Sequence, residues 1–479
     1  MSIYRYFLLG LVPAGLFMVA EAQNPPAQTA DNPGTGSTRP VPAPALSGVM
    51  GVDSQAPQEE NTSSSQPQIP AMLGGPGSSL SFLSEMERAN YLRGGVNVGA
   101  AYDDNALLAP RGQVGNMTYS VFPSVALDQS TSRMRWTLGY GAGLTVNQRL
   151  SSQDQGSHHL NFDSEFRLSP HVNLRAAEDF SLTAGMFGAT AGPGLQPGLG
   201  VANNTLLTPL ANMRSSQTVV ETNYHFALRD AIGASGSLYD LHYSDVSTGT
   251  GSLVDTRVAA GSAFWLHEIS HGDWAGVSYR FQRMTYGPIG ETRVHSFTLV
   301  NTLNLSRSFT LSAFIGPEYS DNYGIAATGP EAGQVATFGN WSTAGGVDLG
   351  WQKQRTSLSA GYSKQVSNGS GIVGAVRLES IHAGLRRELL PGWAAGVTAM
   401  YGDNESLTLA SANTATSIKT TSVGASLERN IGRSLGLQLG YFHDIQNQSG
   451  LSTPSPNFDA NRNRFSVTLS YQWAKPLGR

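Results

Sequence analysis

The sequence predicts an all-β fold: a transmembrane antiparallel up-and-down β-barrel of about 18 strands, with 16 as the alternative count. Three observations predict it. Apolar and polar residues alternate with a period of two from Tyr91 onward. Many alternating runs reach the roughly 9–11 residues that a tilted strand needs to cross a bilayer, whereas globular strands usually have about 5–6. The connections between runs are alternately long and short, which favours a membrane barrel over a soluble sandwich.

Residues 1–22 are typical of a secretory signal peptide. Arg5 supplies a positive charge, an apolar stretch runs from Phe7 to Ala20, and Ala20-Glu21-Ala22 gives the small-x-small cleavage pattern. The alternative is a membrane anchor, but the apolar run is shorter than the ~20 residues of a spanning helix. We therefore expect export through the inner membrane and cleavage before Gln23.

Residues 23–78 are rich in Pro, Ser, Gly and Gln and have almost no aromatic residues. Such a stretch cannot bury enough apolar surface to offset its ordering entropy, so it is predicted to be a disordered periplasmic linker. The linker is either a spacer or a tether to peptidoglycan or a partner. Residues 79–90 are predicted to form a short helix or plug segment, and residues 91–479 form the predicted outer-membrane barrel.

The composition excludes several function classes. Only 13% of residues are charged, the formal net charge is -4, and there are no cysteines. The low charge gives no indication of a nucleic-acid-binding surface. The lack of cysteines excludes disulfides, thiolate catalysis and cysteine-ligated metals. The barrel region has no nucleophile elbow and no phosphate-binding loop. We therefore expect no enzyme, no cofactor and no metal, with an outer-membrane lipid hydrolase as a remaining alternative.

The alternation assigns a lipid-facing apolar set and a lumen-facing polar set to each strand. The charged residues predicted to face the lumen have mixed signs and are Arg133, Arg135, Asp163, Glu165, Arg167, Arg175, Asp179, Glu221, Arg257, Arg280 and Asp348. Folding the hairpin at Pro170 places Glu165 opposite Arg175 and Asn161 opposite Asp179. This set is either a charge ladder that holds the wall shape or a selectivity filter.

Aromatic residues recur where strands of odd number end. A Tyr-x-Asp-Asn pattern starts at Tyr102, Tyr319 and Tyr401, and Tyr243 has a similar position. Such rings are predicted to form an aromatic girdle at the lipid–water interface, comprising Tyr102, Tyr319, Tyr401, Tyr441 and Trp473. The Asp-Asn pair is expected to start the following loop by local hydrogen bonding. Calcium binding by the paired acids is the competing interpretation.

Four charged residues fall on nominally apolar faces: Glu178, Arg283, Lys364 and Lys419. A basic residue at the membrane midplane costs about 2–4 kcal/mol. Lysines near strand ends avoid this cost by extending their ammonium groups towards water. The alternation offers no comparable explanation for Glu178.

Two resemblances to known proteins are present, one at the final strand and one over the first strands of the barrel. The final strand, Phe465-x-Val467-x-Leu469-x-Tyr471-x-Trp473, resembles the C-terminal signature that the barrel assembly machinery recognises. The stretch from Gly94 to Asn105, together with 123–141 and the Glu178-Asp179-Phe180 strand, resembles the β-barrel porin 2 family. That resemblance implies an outer-membrane barrel associated with exopolysaccharide operons, and polysaccharide export components as partners.

The first hypothesis for function is therefore a porin-like channel in the outer membrane of a Gram-negative bacterium, serving solute diffusion or exopolysaccharide export. The second is a non-conducting structural or surface-binding barrel, plugged by residues 79–90 or by the long loop 187–215. The third is the lipid hydrolase. The expected partners are the lipid bilayer and the barrel assembly machinery, without nucleic acid.

Overall fold

A computed structural model of the chain describes residues 90–477, with the exception of 111, 152–153, 185–204, 208–211, 244–252, 271–272, 288–289, 307, 326–334, 373, 408–416, 433 and 450–458. The predicted signal peptide, the linker and all of the predicted plug segment except Asn90 lie outside the described residues. Within the described ranges, no helix is long and apolar enough to cross a membrane.

The described residues form a closed antiparallel barrel of 18 strands. Each strand pairs with the next in sequence, and β1 pairs with β18 over Tyr91–Asp103 and closes the wall. The predicted fold class and strand number are confirmed. The strands are β1 Tyr91–Asp103, β2 Asn116–Ser130, β3 Met134–Asn147, β4 Gln155–Ser169, β5 Val172–Ala184, β6 Asn212–His225, β7 Asp230–Tyr243, β8 Thr256–Ser270, β9 Asp273–Tyr286, β10 Gly290–Ser306, β11 Phe309–Ile325, β12 Val335–Lys353, β13 Thr356–Asn368, β14 Ala375–Leu390, β15 Trp393–Ser406, β16 Ser417–Ile431, β17 Leu435–Ser449 and β18 Ala460–Pro476.

The period-two pattern explains the two faces of the wall. In β3, Leu138, Tyr140 and Leu144 are exposed on one face, while Gly139 and Asn147 are buried on the other. Because the ladder of the described strands closes on itself, the wall has no edge strand, and large apolar side chains cover its outer face while most backbone groups are paired within the ladders.

The connections differ between the two ends of the barrel. Strands of even number are followed by short turns such as 170–171, 354–355 and 391–392. Most strands of odd number are followed by longer connections, such as 104–115 and 185–211. We call these the turn end and the loop end of the barrel.

The strands extend further at the loop end than the sequence indicated. Asp321 and Asn322 lie inside β11, and Asp403 and Asn404 lie inside β15. The prediction that Asp-Asn starts each loop is wrong for these two strands, because the ladder with the next strand continues past both pairs. Only in the first copy of the pattern do the Asp and Asn residues, Asp104 and Asn105, lie beyond the strand, which ends at Asp103.

One boundary between strands is shorter than its neighbours. β12 pairs with β13 over nine residues, Gly345–Lys353 against Thr356–Lys364, whereas β11 and β12 pair over seventeen. Beyond this ladder β13 turns inwards, since the backbone N–H of Val366 donates to Glu318 Oε1 of β11 at 2.9 Å. We call the resulting gap in the wall at the loop end the seam.

Candidate functional site at the loop end of the barrel

Apolar side chains fill part of the barrel interior at the loop end. They come from the loop-end halves of β7–β10 and β13–β16 and from the adjoining connections, and each is at most 9% exposed. We call this set the mouth cluster: Leu206, Tyr239, Leu241, Tyr243, Leu253, Val258, Met284, Tyr286, Val294, Val366, Ile372, Ala375, Leu407 and Ile418. Because these residues face inwards, they exclude water from this part of the lumen.

The connection between β13 and β14, residues 369–374, reaches across the interior to β7 and β8. The Tyr243 hydroxyl donates to the carbonyl of Ser370 at 2.8 Å, and the Val254 N–H donates to the carbonyl of Gly371 at 2.8 Å. Gly371 has a φ of 78°, a left-handed conformation that favours glycine. β8 to β12 separate β7 from β13 along the wall, so this tip spans the mouth and does not follow the wall.

A second segment, Thr205–Leu207, lies between β5 and β6 and is buried in the interior. We call it the bridging segment. Leu207 N donates to Gln446 Oε1 at 2.8 Å, and Gln446 Nε2 donates back to the Leu207 carbonyl at 3.3 Å. The side chains of Thr205 and Asn404 are also hydrogen-bonded, with Asn404 Nδ2 donating at 3.0 Å. The segment is thereby fixed to the inner faces of β15 and β17.

The two leucines of the bridging segment join two apolar clusters. Leu206 belongs to the mouth cluster, whereas Leu207 packs with Leu108 of the β1–β2 connection and Ala460 of β18. The mouth cluster extends to Ile418 of β16, and the second cluster begins two strands further along the wall, at Ala460 of β18. The bridging segment therefore continues the apolar closure across the mouth.

Charged side chains are buried beside the mouth cluster. Arg280 Nη2 lies 3.9 Å from Glu318 Oε2 and donates to Gln365 Oε1 at 3.3 Å. The Arg280 and Glu318 side chains are only 7% and 1% exposed. Ser296 Oγ also donates to Glu318 at 3.0 Å. These contacts link β9, β10, β11 and β13 on the inside, and a buried pair of this kind is costly to break because one charge would lose its partner.

A second cluster of buried charges links the first and the last strands of the barrel. Arg462 of β18 is 1% exposed and forms an ion pair with Asp444 of β17. Its Nη1 lies 3.6 Å from Asp103 Oδ2, at the loop end of β1. The carboxylates of the two strands next to β18, Asp103 of β1 and Asp444 of β17, thus both lie close to the guanidinium group of Arg462.

The predicted cross-strand register of β4 and β5 is confirmed. Glu165 lies opposite Arg175, and Asn161 lies opposite Asp179. The ion pair is diagonal, however, because Arg175 bonds Asp163, with Nε donating at 2.9 Å. His159 Nε2 lies 3.5 Å from Asp179.

Several other predicted lumen residues lie on the inner face of their strands. Glu221 is 6% exposed and accepts a hydrogen bond from Asn223 Nδ2 at 3.1 Å. Asp348 lies 3.5 Å from His382 Nε2. Arg135 is opposite Glu165 in the ladder, and Arg167 near the turn end is exposed.

Two predicted lumen residues are placed elsewhere. Arg257 lies on the outer face of β8 beside Asp240, with its Nε 3.4 Å from the carboxylate and its side chain 74% exposed. The inner face of this strand carries apolar residues such as Val258 and Phe264, so polarity alone indicates the wrong face. Arg133 lies in the exposed turn before β3 and not in the wall.

The aromatic residues predicted for the girdle lie on outer faces. Tyr102 is 47% exposed, and Trp473 is 41% exposed near the turn end of β18. Tyr319 packs against Trp341 with ring centroids 4.9 Å apart, and Tyr441 packs against Phe465 at 4.7 Å; Tyr401 is half-buried. Tyr243 differs, because it is buried within the mouth cluster.

The charges on apolar faces have individual explanations. Glu178 accepts hydrogen bonds from Ser216 Oγ at 2.8 Å and from Thr218 on the adjacent outer face of β6. Arg283 donates to Glu291 at 2.6 Å. Lys419 lies 3.4 Å from Asp403. Each therefore keeps a polar partner on the outer face, which reduces the cost of its position.

The sequence interpretation missed the mouth cluster and the role of the repeated asparagines. Asn105, Asn322 and Asn404 are at most 3% exposed and all face inwards at the loop end, where they bond neighbouring strands or inserted segments. The Tyr-x-Asp-Asn repeat was the available signal, since it places one asparagine at or just beyond the loop end of three strands of odd number. In the described ranges, no three His, Cys, Asp or Glu side chains converge as metal ligands.

Comparison with known proteins gives only distant likenesses. No protein-family model and no curated protein matches the chain. Among solved structures, Pseudomonas aeruginosa OpdL is 14% identical with a TM-score of 0.42, covering 80% of this chain and 99% of its own. The outer membrane protein OpdK of Pseudomonas aeruginosa is 11% identical, with a TM-score of 0.41 and coverage of 80% and 99%. Ferric citrate transporter FecA is 9% identical, with a TM-score of 0.43 and coverage of 81% and 79%. The fold therefore rests on the strand pairing itself, and membership of the β-barrel porin 2 family is not confirmed.

Proposed function

We propose that this chain is an outer-membrane β-barrel that forms a gated channel for small polar solutes, and that its mouth is closed in this conformation. The observation that carries the proposal is the bridging segment. Its buried leucines join two apolar clusters inside the barrel, yet it is part of the connection between β5 and β6 and not of the wall. Such a segment can leave the mouth without breaking a strand ladder.

The outer face supports a place in a lipid bilayer. Large apolar side chains are exposed on it around the whole barrel, which in water would be a very large apolar patch. Examples from seven of the strands are Val98, Leu160, Leu238, Phe297, Ile381, Val397 and Leu469. Aromatic rings towards both ends fit the interfacial girdles of an outer-membrane barrel.

The inner face of the remaining wall supports passage of polar solutes. Small polar or glycine positions line parts of β13 and β16, including Ser357, Ser359, Gly361, Ser363, Ser422, Gly424 and Ser426. A barrel of 18 strands is large enough to leave an aqueous channel when it is not filled. The mixed charges of β3–β6 then act on solutes in the lumen.

Planar-bilayer recording of refolded protein tests the proposal. Replacing residues 187–211 with a short Gly-Ser linker is expected to raise conductance well above that of the parent chain, because the bridging segment is removed. The matched control replaces the β3–β4 connection, 148–154, of which no described residue belongs to the mouth cluster. If the first replacement folds and conducts no more than the control, the bridging segment is not the gate.

A non-conducting barrel is the second candidate, and a specific observation favours it. A further apolar cluster lies on the inner face of β7–β12: Ala231, Phe264, Leu266, Trp274, Val300, Phe314 and Ala344. Together with the buried Arg280–Glu318 pair it occupies lumen volume near the wall. Absence of conductance after both the loop replacement and deletion of residues 79–90 would favour this candidate.

The exopolysaccharide role is a narrower proposal that rests on the family resemblance alone. A polymer would have to displace both the bridging segment and the β13–β14 tip, so export would require a larger opening than diffusion of small solutes. Polysaccharide release by a deletion strain tests it, with the export components as expected partners. We infer no catalytic activity, and a lipid-hydrolysis assay of the folded barrel tests that inference.

A further inference from the structure

The seam between β12 and β13 contains a groove that opens to the outer face. Its volume is about 530 Å³. Its lining includes Ile315, Trp341, Tyr362, Lys364 and Arg377. Trp341 is 70% exposed and Ile315 is 59% exposed, so one side of the groove is a strongly apolar surface.

The groove lies at the height of the loop-end aromatic girdle. Trp341 is opposite Tyr319 in the ladder, and the two rings pack at 4.9 Å. Tyrosine and tryptophan in a membrane barrel mark the level of the lipid headgroups. The groove therefore joins the headgroup layer above to the acyl-chain layer below.

The part of β12 that borders the groove has no strand partner among the described residues of β13. The ladder between β12 and β13 ends at Gly345 and Lys364, and in the described pairing β12 continues to Val335 with partners on β11 only. Backbone N–H and C=O groups at an edge within a membrane are costly unless something hydrogen-bonds them. A headgroup with several oxygen atoms meets that requirement, whereas an acyl chain alone does not.

Two cationic side chains sit on the outer side of the groove. Among the described residues, no carboxylate lies within ion-pair distance of Lys364. Glu379, which is opposite Lys364 in the ladder, accepts a hydrogen bond from the Tyr362 hydroxyl at 2.6 Å. Arg377 pairs with Glu405 at 3.1 Å and retains guanidinium donors for another acceptor.

We propose that the seam groove binds an anionic lipid of the bilayer, with its phosphate on Lys364 and Arg377 and an acyl chain against Trp341 and Ile315. The charge of the two cations and the adjacent apolar surface match the two parts of such a lipid. The proposal rests on membrane insertion of the barrel but not on conduction, so a barrel that never conducts can still bind the lipid.

Native mass spectrometry of the folded full chain in zwitterionic detergent tests the proposal. Phosphatidylglycerol is expected to bind about 5-fold more tightly than phosphatidylcholine with the same chains, which corresponds to roughly 1 kcal/mol for Lys364, since Arg377 already pairs with Glu405. K364Q and the double variant K364Q/R377Q should lose most of this preference. The control is K419Q, which removes an outer-face lysine that already pairs with Asp403.

Three results would overturn the proposal. The first is equal affinity for the two lipids, and the second is an equal loss of preference in K419Q. The third is complete competition by inorganic phosphate at the lipid concentration, which would make the site one for free phosphate. A folded-versus-unfolded gel shift checks each variant, and if R377Q does not fold, the single substitution K364Q still decides the outcome.

Discussion

The most direct test of the closed mouth is the substitution Leu206→Ala. Leu206 is 6% exposed within the mouth cluster and belongs to a connection, so only the closed conformation buries it. Removing about three carbon groups at ~0.8 kcal/mol each costs roughly 2.4 kcal/mol, and buried Leu→Ala changes span about 2–5 kcal/mol once a cavity remains. The substitution raises the free energy of the closed state while the open state is unaffected.

The expected consequence is a large change in gating. A shift of about 2.4 kcal/mol alters the closed-to-open ratio about 50-fold, since 1.4 kcal/mol corresponds to a factor of ten. Single-channel recording of refolded protein measures this ratio as the open probability. The control is Leu385→Ala on β14, which removes the same atoms from an outer-face residue that is 44% exposed. An open probability that is unchanged in L206A, or raised equally in L385A, would refute the reasoning.

Three further predictions concern the bridging segment and the buried charges. The chain has no cysteines, so T205C/N404C should form one defined disulfide. This disulfide should abolish conductance, and a reductant should restore it. Conductance that does not change with the redox state would contradict the contact between the bridging segment and β15. Q446A removes both hydrogen bonds to Leu207, worth about 1–3 kcal/mol where a buried group is left unpaired, and should raise the open-to-closed ratio about 5- to 140-fold. An unchanged ratio would count against this role of Gln446. R462M removes the guanidinium that pairs with Asp444 and lies beside Asp103, and leaves Arg464 as the cation that still interacts with both carboxylates. The variant should lose about 3 kcal/mol in urea unfolding, whereas R257M at an exposed outer-face pair should cost at most about 1 kcal/mol. Equal losses would place the two arginines in equivalent environments.

The wall of the barrel could be predicted from sequence because lipid and a polar interior impose opposite requirements on adjacent residues. β3 and β4 satisfy both requirements cleanly, so their faces and even the Glu165–Arg175 register were predictable. Strand ends were not, because pairing beyond the membrane needs no apolar face. β11 and β15 therefore continue through Asp-Asn pairs that resemble loop starts.

The interior of the mouth escaped prediction for a different physical reason. In β8 the inner face carries Val258, Phe264 and Leu266, so the rule that apolar residues face lipid assigns Arg257 to the wrong side. The same rule places Tyr243 with the girdle tyrosines. The hydrogen bonds between Leu207 and Gln446 join residues far apart in the chain, and no local pattern signals them.

The short β12–β13 ladder also changes the energetics of opening. If the tip of the β13–β14 hairpin left the interior, β13 could extend its pairing with the part of β12 that now has partners on β11 only. New backbone hydrogen bonds along that boundary would offset the exposure of apolar side chains inside. A rigid movement of this one hairpin would then close the gap in the wall and widen the mouth beside the bridging segment.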